Sequence, residues 1–361
     1  MSSDVRRVLI TGGAGFIGSH LAIHLRQQDP RREIFVFDNL SRLGSQANLP
    51  RLEEAGISFI KGDARSPEAI HQTPPVDTII LAAAEPSVQA GMVGSPTPVI
   101  ETNLVGTMHT LERASLIGAR VLLLSTSRVY PIDPINHLPY REAATRFEWV
   151  EPMADERPAG WSLEGLTEEF PLSGRRSFYG ASKLGAELLL QEYVASGRLA
   201  GLINRCGLVA GPWQMARSDQ GVIALWVMRH LFRRPLKYTG FGGTGKQVRD
   251  CLHVDDLCRL VAIQLDRLER WDGSVYHAAG GHDQSVSLRE LTEICQQATG
   301  QTIELDPVEA TSPVDVRILI MKSQRARSDF GWEPLRRVDE TVLDIARWVR
   351  QEQDWLERTL A

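Results

Sequence analysis

The run Thr11-Gly-Gly-Ala-Gly-Phe-Ile-Gly18 follows an aliphatic stretch, residues 5–10, and leads into residues 16–25, where Ile17, Leu21 and Leu25 recur at helical spacing. It contains both Gly12-x-x-Gly15-x-x-Gly18 and Gly13-x-Gly15-x-x-Gly18. A strand, a glycine turn and a helix in that order leave few folds open. Free N–H groups at the helix N-terminus and the helix dipole favour an anion, and glycine lets a pyrophosphate approach the backbone. The bland alternative is a turn that only eases strand–helix packing. Asp38 ends the next apolar run, 34–37, 20 residues after Gly18. An acidic side chain there can take ribose hydroxyls and repels a 2′-phosphate, which favours NAD over NADP, although Arg42 leaves that choice open.

Further apolar runs at 57–60, 78–82, 120–124 and 202–205 alternate with helix-like stretches at 99–114 and 183–195. That alternation implies right-handed crossovers and an α/β fold, a Rossmann doubly wound parallel sheet. Residues 1–205 are expected to form the dinucleotide domain. Residues 206–361, with helical patterns at 222–233, 288–299 and 338–356, are expected to form mainly a smaller α/β substrate lobe, some segments returning to the first domain. The segment 131–176 carries Pro131, Pro134, Pro139, Pro152, Pro158 and Pro171, so it reads as a folded excursion poor in helix. It joins Thr126 to Tyr179, which suggests a lid over the reaction, with Tyr140, Arg146 and Phe147 as its working side chains.

Composition removes other classes of function. A formal charge of −5 from 40 basic and 45 acidic residues gives no electrostatic case for nucleic acid or an anionic membrane. The start, Met1-Ser-Ser-Asp-Val-Arg-Arg, lacks the apolar core of a signal peptide, and no 18-residue apolar run follows, so a cytoplasmic protein is expected. Cys206, Cys251, Cys258 and Cys295 show no Cys-x-x-Cys spacing, and His253 with Asp255 and Asp256 lacks further ligands. Buried thiols and no metal are expected.

Tyr179 and Lys183 stand at i and i+4, on one face of a helix, so a phenol and an ammonium converge on one ligand. Lys183 and an oxidised nicotinamide would both favour the phenolate, which makes Tyr179 the expected general base. Thr126, at the carboxyl end of the apolar run 120–124, is placed to hold a substrate oxygen. Asp63, after the third apolar run, can reach an adenine amine or cap a helix ahead of Pro67.

These residues, with Asp38-Asn-Leu, Asn103-Leu-Val-Gly-Thr107 and Arg249-Asp-Cys-Leu-His-Val-Asp-Asp-Leu257, resemble the extended short-chain dehydrogenase/reductase family over nearly the whole chain. Within it the chain looks most like the CDP-paratose (CDP-tyvelose) 2-epimerases, through Ala84-Glu-Pro-Ser-Val88, Tyr140-Arg-Glu-Ala-Ala-Thr-Arg-Phe147, Asp219-Gln-Gly221 and Gly245-Lys-Gln-Val-Arg-Asp250. Where those enzymes usually read Thr-Asn-Lys-Val-Tyr-Gly, this chain reads Thr126-Ser-Arg-Val-Tyr-Pro131. The resemblance implies NAD held by Gly12, Gly15, Phe16, Ile17, Gly18, Asp38, Asn39, Ser41, Arg42, Asp63, Ala64, Ala82, Ala83, Ala84, Asn103, Tyr179 and Lys183. It implies a nucleotide-diphosphate sugar, CDP-sugar favoured, bound by Glu85, Ser87, Thr126, Arg128, Asn204, Gln214, Gln220, Gln247, Arg249 and Arg317. Surface ion pairs are the alternative for the cationic residues and for Lys246.

The implied reaction is epimerisation through a 2-keto sugar, with Thr126, Tyr179 and Lys183 catalytic. It also implies a homodimer or homotetramer joined through the helices at 99–114 and 183–195. A 4-epimerase, decarboxylase or dehydratase of another nucleotide sugar is the enzymatic alternative, and an NAD-sensing scaffold the non-enzymatic one. Related dehydratases carry Asp-Glu directly after the Thr. Here those positions are Ser127 and Arg128, which leaves Glu85 as a substitute acid.

Overall fold

The computed structural model describes residues 5–153, 157–217 and 220–360. Expectations resting on Met1 to Asp4, on residues 154–156 of the excursion and on Asp219 lie outside them. Seven parallel strands form the main sheet: β1 (Arg7–Thr11), β2 (Glu33–Asp38), β3 (Ser58–Lys61), β4 (Thr78–Leu81), β5 (Arg120–Thr126), β6 (Gly201–Cys206) and β7 (Asp272–Ala278). Their order is β7-β6-β5-β4-β1-β2-β3. Along β1, Val8 and Ile10 face one buried cluster and Leu9 faces the other, so the strand is covered on both sides as a parallel sheet requires. The strand order reverses between β1 and β4, which opens a crevice at their carboxyl ends where such sheets bind ligands. β7 lies beyond the expected boundary at residue 206 yet completes the sheet.

The helical pattern at 99–114 is broken in a particular way. Thr97–Ile100 and Gly106–Ile117 are α-helical, and Glu101–Val105 between them is a π-helical turn. That turn brings Asn103 fully inward, where its amide accepts from Glu85 N–H (2.8 Å) and donates to Glu85 O (3.1 Å) and Ser182 Oγ (3.1 Å).

Beyond β6, short strands Leu208–Ala210, Val248–His253, Ser285–Ser287 and Ile318–Leu319 make a small sheet. Helices Val222–Leu231, Leu288–Thr299 and Val338–Gln351 pack with it around Trp226, Leu291, Val342 and Trp348. The expected helix at 338–356 is two helices, the second being Gln353–Leu360.

The excursion is not a lid over the crevice. Its hairpins, Tyr140–Glu142 with Phe147–Trp149 and Trp161–Ser162 with Gly165–Leu166, turn Phe147, Trp149, Trp161 and Phe170 into one core with residues 314–321 of the second lobe. Backbone bonds stitch the seam: Phe147 N–H to Lys246 O (2.9 Å), Leu166 N–H to Ile320 O (2.9 Å) and Lys322 N–H to Leu166 O (2.7 Å). None of its described residues lines the crevice. Its aromatic residues bury more apolar area against the lobe than a mobile flap over a polar site could.

Candidate active site

A cavity of about 720 Å³ occupies the crevice. Its cofactor half is built on the glycine turn. Gly12 has φ +67°, and a Cβ there would stand 2.6 Å from Ala83 Cα; a Cβ on Gly18 would stand 2.3 Å from Gly12 O. A side chain at either position would collide with neighbouring backbone and force the turn out of shape, whereas bare glycines let it pack tightly at the start of helix Phe16–Gln28, where a pyrophosphate can approach. Gly15, Phe16, Ile17 and Ala82 to Ala84 line the same space.

Asp38 at the end of β2 accepts from Ala14 N–H (3.1 Å) and Leu40 N–H (2.7 Å), which fixes its carboxylate at the cavity wall; burial pushes its pKa up. Asn39 Nδ2 donates to Asp63 (2.9 Å), and Arg65 pairs with Asp63 at 2.7 Å. Hydrogen bonding from Arg65 holds the Asp63 carboxyl well below its ordinary value. Ser66, not Asp63, caps helix Pro67–His71, so Asp63 faces the cavity. Ser41 and Ala64 line it too, and Arg42 reaches across it to both oxygens of Glu85 (3.0 Å each) and to Gln220.

The reactive half lies where β5 ends. Ser177 caps helix Phe178–Ala195 by accepting from Gly180 N–H (3.2 Å), so the helix starts directly beneath the crevice. Its first turns bring Tyr179 and Lys183 into the cavity beside Thr126. Burial raises the Tyr179 phenol above its ordinary pKa, and the Thr126 hydroxyl, hydrogen-bonded to it, pulls it partly back. Lys183 Nζ donates to Leu124 O (2.6 Å). Burial brings its ammonium down to about 8, against the attraction of Cys206 and Glu187. Burial likewise pushes the Cys206 thiol up to about 12, an inert group on the cavity floor.

Sequence reasoning passed over what stands behind Lys183. Glu187, one turn further along the helix, accepts from Ser125 Oγ and takes a fork from Arg205, whose closest contact is 2.7 Å; the two side chains are 1% and 4% exposed. Arg205 Nη1 also donates to Tyr130 Oη (2.9 Å), which meets His277 Nε2 at 2.6 Å. His277 Nδ1 faces Lys322 O (3.1 Å), a pure acceptor, so Nδ1 carries the proton and Nε2 accepts from Tyr130. Burial takes His277 down to about 3, consistent with that neutral tautomer. The helical spacing of Glu187 from Lys183 was the available signal.

Of the residues expected to contact substrate, Glu85, Arg128, Gln214, Gln220 and Arg249 line the cavity wall. Arg249 pairs with Asp315 (2.6 Å), a cavity residue that motif reading did not single out. Asp250, also lining it, accepts from Met321 N–H (2.7 Å) and is pushed by burial up to about 7.

Five expected contacts lie elsewhere. Asn103 sits behind the wall holding the Glu85 backbone, and Ser87 is buried beside that turn, accepting from Gln89 N–H (3.2 Å). Asn204, inside β6, makes reciprocal amide bonds with Gln264 (2.8 Å each). Gln247 is turned to Thr239 O (3.0 Å). Arg317 is stacked on Tyr140, 3.9 Å from the ring centroid, with Phe147 and Phe241 nearby, and donates to Asn136 O (3.1 Å). It joins the excursion to the second lobe and does not line the cavity. Lys246 pairs with Glu142 (2.9 Å). All four cysteines are free and buried, and among the described residues no three His, Cys, Asp or Glu side chains gather as a metal site.

The profile of the NAD dependent epimerase/dehydratase family matches residues 8–279. The chain belongs to that family. It is 29% identical to a dTDP-glucose 4,6-dehydratase of Streptomyces antibioticus over 97% of this chain and 94% of the relative. It is 26% identical to a CDP-paratose 2-epimerase of Salmonella typhi over 95% and 98% of the two chains. A dTDP-glucose 4,6-dehydratase of Streptomyces venezuelae solved with NAD bound superposes with a TM-score of 0.77 at 28% identity, covering 98% of this chain and 99% of that one. NAD is therefore the cofactor, and relatives of this chain are sugar-nucleotide enzymes of several activities. No helix among the described residues is long and apolar enough to cross a membrane.

Proposed function

We propose that this protein is an NAD-dependent nucleotide-sugar epimerase acting at C2 of a CDP-activated sugar in the cytoplasm. The observation that carries the reading is the convergence of Thr126, Tyr179 and Lys183 in one cavity with the glycine turn and Asp38. NAD, when bound, supplies reversible hydride acceptance. Tyr179 takes the proton of the C2 hydroxyl, and Thr126 holds that oxygen. Lys183, protonated below about pH 8 and fixed to Leu124 O, anchors the nicotinamide ribose and favours the phenolate. The 2-keto sugar then presents its other face, hydride returns, and Tyr179 reprotonates the oxygen.

Dehydration has less support than epimerisation. The positions after Thr126 are Ser127 and Arg128, and the alternative acid, Glu85, is engaged through both oxygens by Arg42. Incubating the protein with CDP-, UDP-, GDP- and dTDP-sugars deuterated at C2 or C4, followed by NMR, tests the proposal. Deuterium kept on an inverted C2 of a CDP-sugar is the expected result. Inversion at C4 or loss of water from the sugar would replace it.

A further inference from the structure

Arg128 is a cation that the reaction above does not use. It stands two residues after Thr126, on the short 3-10 turn Ser127–Val129, and its backbone N–H is tied to Thr126 Oγ1 (3.2 Å). The side chain lines the cavity and is partly buried; its Nη2 donates to Val314 O (2.6 Å), and among the described residues it makes no ion pair. Its neighbours differ in this respect. Arg249 has Asp315 at 2.6 Å and Arg42 has Glu85 at 3.0 Å. Burial and the like charge of Arg249 bring the Arg128 guanidinium down to about 10, an unfavourable placement that an anion would relieve. The guanidinium also favours the Tyr179 phenolate, and the charges of Arg249 and Asp315 act on it in turn. Its charge is thus felt both at the reacting phenol and at the Arg249–Asp315 pair, and all four residues line the one cavity.

We propose that Arg128 binds the sugar-linked phosphate of the nucleotide diphosphate and so selects C2 as the carbon presented to Tyr179. This rests on the C2 reading above. C2 is bonded to the anomeric carbon, which carries the phosphate oxygen, so a sugar whose C2 hydroxyl meets Thr126 and Tyr179 must hold that phosphate close to the reacting centre. C4 lies across the ring, and a C4 enzyme would place the phosphate away from this turn. A guanidinium with one fixed bond to Val314 O keeps further donors in a planar fork suited to phosphate. Serine at 127 adds no charge beside it.

Titration calorimetry on the NAD-loaded protein tests the contact, using CDP, UDP, CMP and UMP as probes. In the unaltered protein the preferred diphosphate should bind more tightly than its monophosphate. Arg128→Gln should lower diphosphate affinity by about ten- to a hundredfold, the range for losing a charge-assisted hydrogen bond, and leave monophosphate affinity unchanged. Arg128→Lys, which keeps the charge, should recover part of the loss, and the NAD content of each variant reports its folding. Unchanged diphosphate affinity in Arg128→Gln overturns the proposal. So does a variant that keeps diphosphate affinity and loses only the turnover of sugars bearing a carboxylate, since the anion would then be on the sugar. The affinity readout needs no turnover; loss of diphosphate affinity in Arg128→Gln together with inversion at C4 in the sugar assay would retain the phosphate contact while removing the C2 reading and the selection that depends on it.

Discussion

Glu187→Gln is expected to be among the most destabilising single-atom changes in this chain. Three hydrogen bonds from Arg205, at 3.1, 3.1 and 2.7 Å, and one from Ser125 Oγ converge on the Glu187 carboxylate, and water reaches almost none of it. The amide keeps one acceptor and turns an NH2 towards a guanidinium. Arg205 retains Tyr130 Oη but loses its counter-charge in a dry site. Removing one partner of a buried ion pair costs about 3–5 kcal/mol, and the remaining acceptor argues for the lower end, ~3 kcal/mol. At roughly 2–4 °C per kcal/mol for a large domain, the melting temperature should fall by about 6–12 °C. Differential scanning calorimetry of the NAD-loaded protein reads this directly. The companion variant Arg205→Met should cost about as much, and the double variant Glu187→Gln with Arg205→Met should cost less than the two singles added, since two facing charges then leave together. A Glu187→Gln protein melting within about 1 °C of the parent, or strictly additive singles, would refute the buried-pair reasoning.

Tyr179→Phe should lower turnover by about 10²–10⁴-fold with bound NAD unchanged; wild-type turnover would end the general-base role. Lys183 loses its charge as pH rises through about 8, so activity should decline above that pH, and a profile still flat to about pH 9.5 would contradict its role. Because its folded pKa lies below the ordinary 10.5, the unfolded chain binds more protons between those values, and this group alone makes stability rise with pH across that window. Gly18→Ala puts a methyl 2.3 Å from Gly12 O and should abolish copurification of NAD, measured by nucleotide extraction; a full complement of NAD would falsify the cradle. We further propose a homodimer through helices Gly106–Ile117 and Phe178–Ala195, where Met108 and Leu188 are exposed; Leu188→Glu should then return the 40.2 kDa monomer in light scattering, and a parent already monomeric would exclude the interface.

The nucleotide half of the site was legible because its chemistry is local. A glycine turn, a strand-end Asp38 and a Tyr179–Lys183 helix spacing each fit within a few residues, and each reaches the cavity. The first six strands were readable as apolar runs for the same reason. β7 was not, because its Asp272, Gly273 and Ser274 dilute the pattern and its pairing with β6 is long-range. Of the expected substrate contacts, only some line the cavity. Asn204 inside β6 and Gln247 just ahead of strand Val248–His253 are polar residues whose facing depends on tertiary partners, Gln264 and the Thr239 carbonyl, that sequence spacing does not reveal. Arg317 resembled a phosphate ligand by position, yet three aromatic rings outcompete solvent for its guanidinium. The lid expectation failed on the same point: chain ends anchored beside the chemistry do not say which way the intervening loop folds, whereas its buried Phe147, Trp149, Trp161 and Phe170 do.

The seam between the excursion and the second lobe has a consequence for recombining such enzymes. A crossover at residue 206 would look natural, since β6 ends there, but it would separate Arg317 from Tyr140, Lys246 from Glu142 and Leu166 from Ile320. Residues 131–176 are inherited in sequence with one parent and packed in space with the other. A chimera that exchanges sugar preference therefore has to transplant two discontinuous blocks, 131–176 together with the second lobe, while leaving Thr126 and the Tyr179 helix in the recipient. Donor pairs could be ranked by how well the aromatic sleeve around Arg317 matches, before any residue of the pocket is compared.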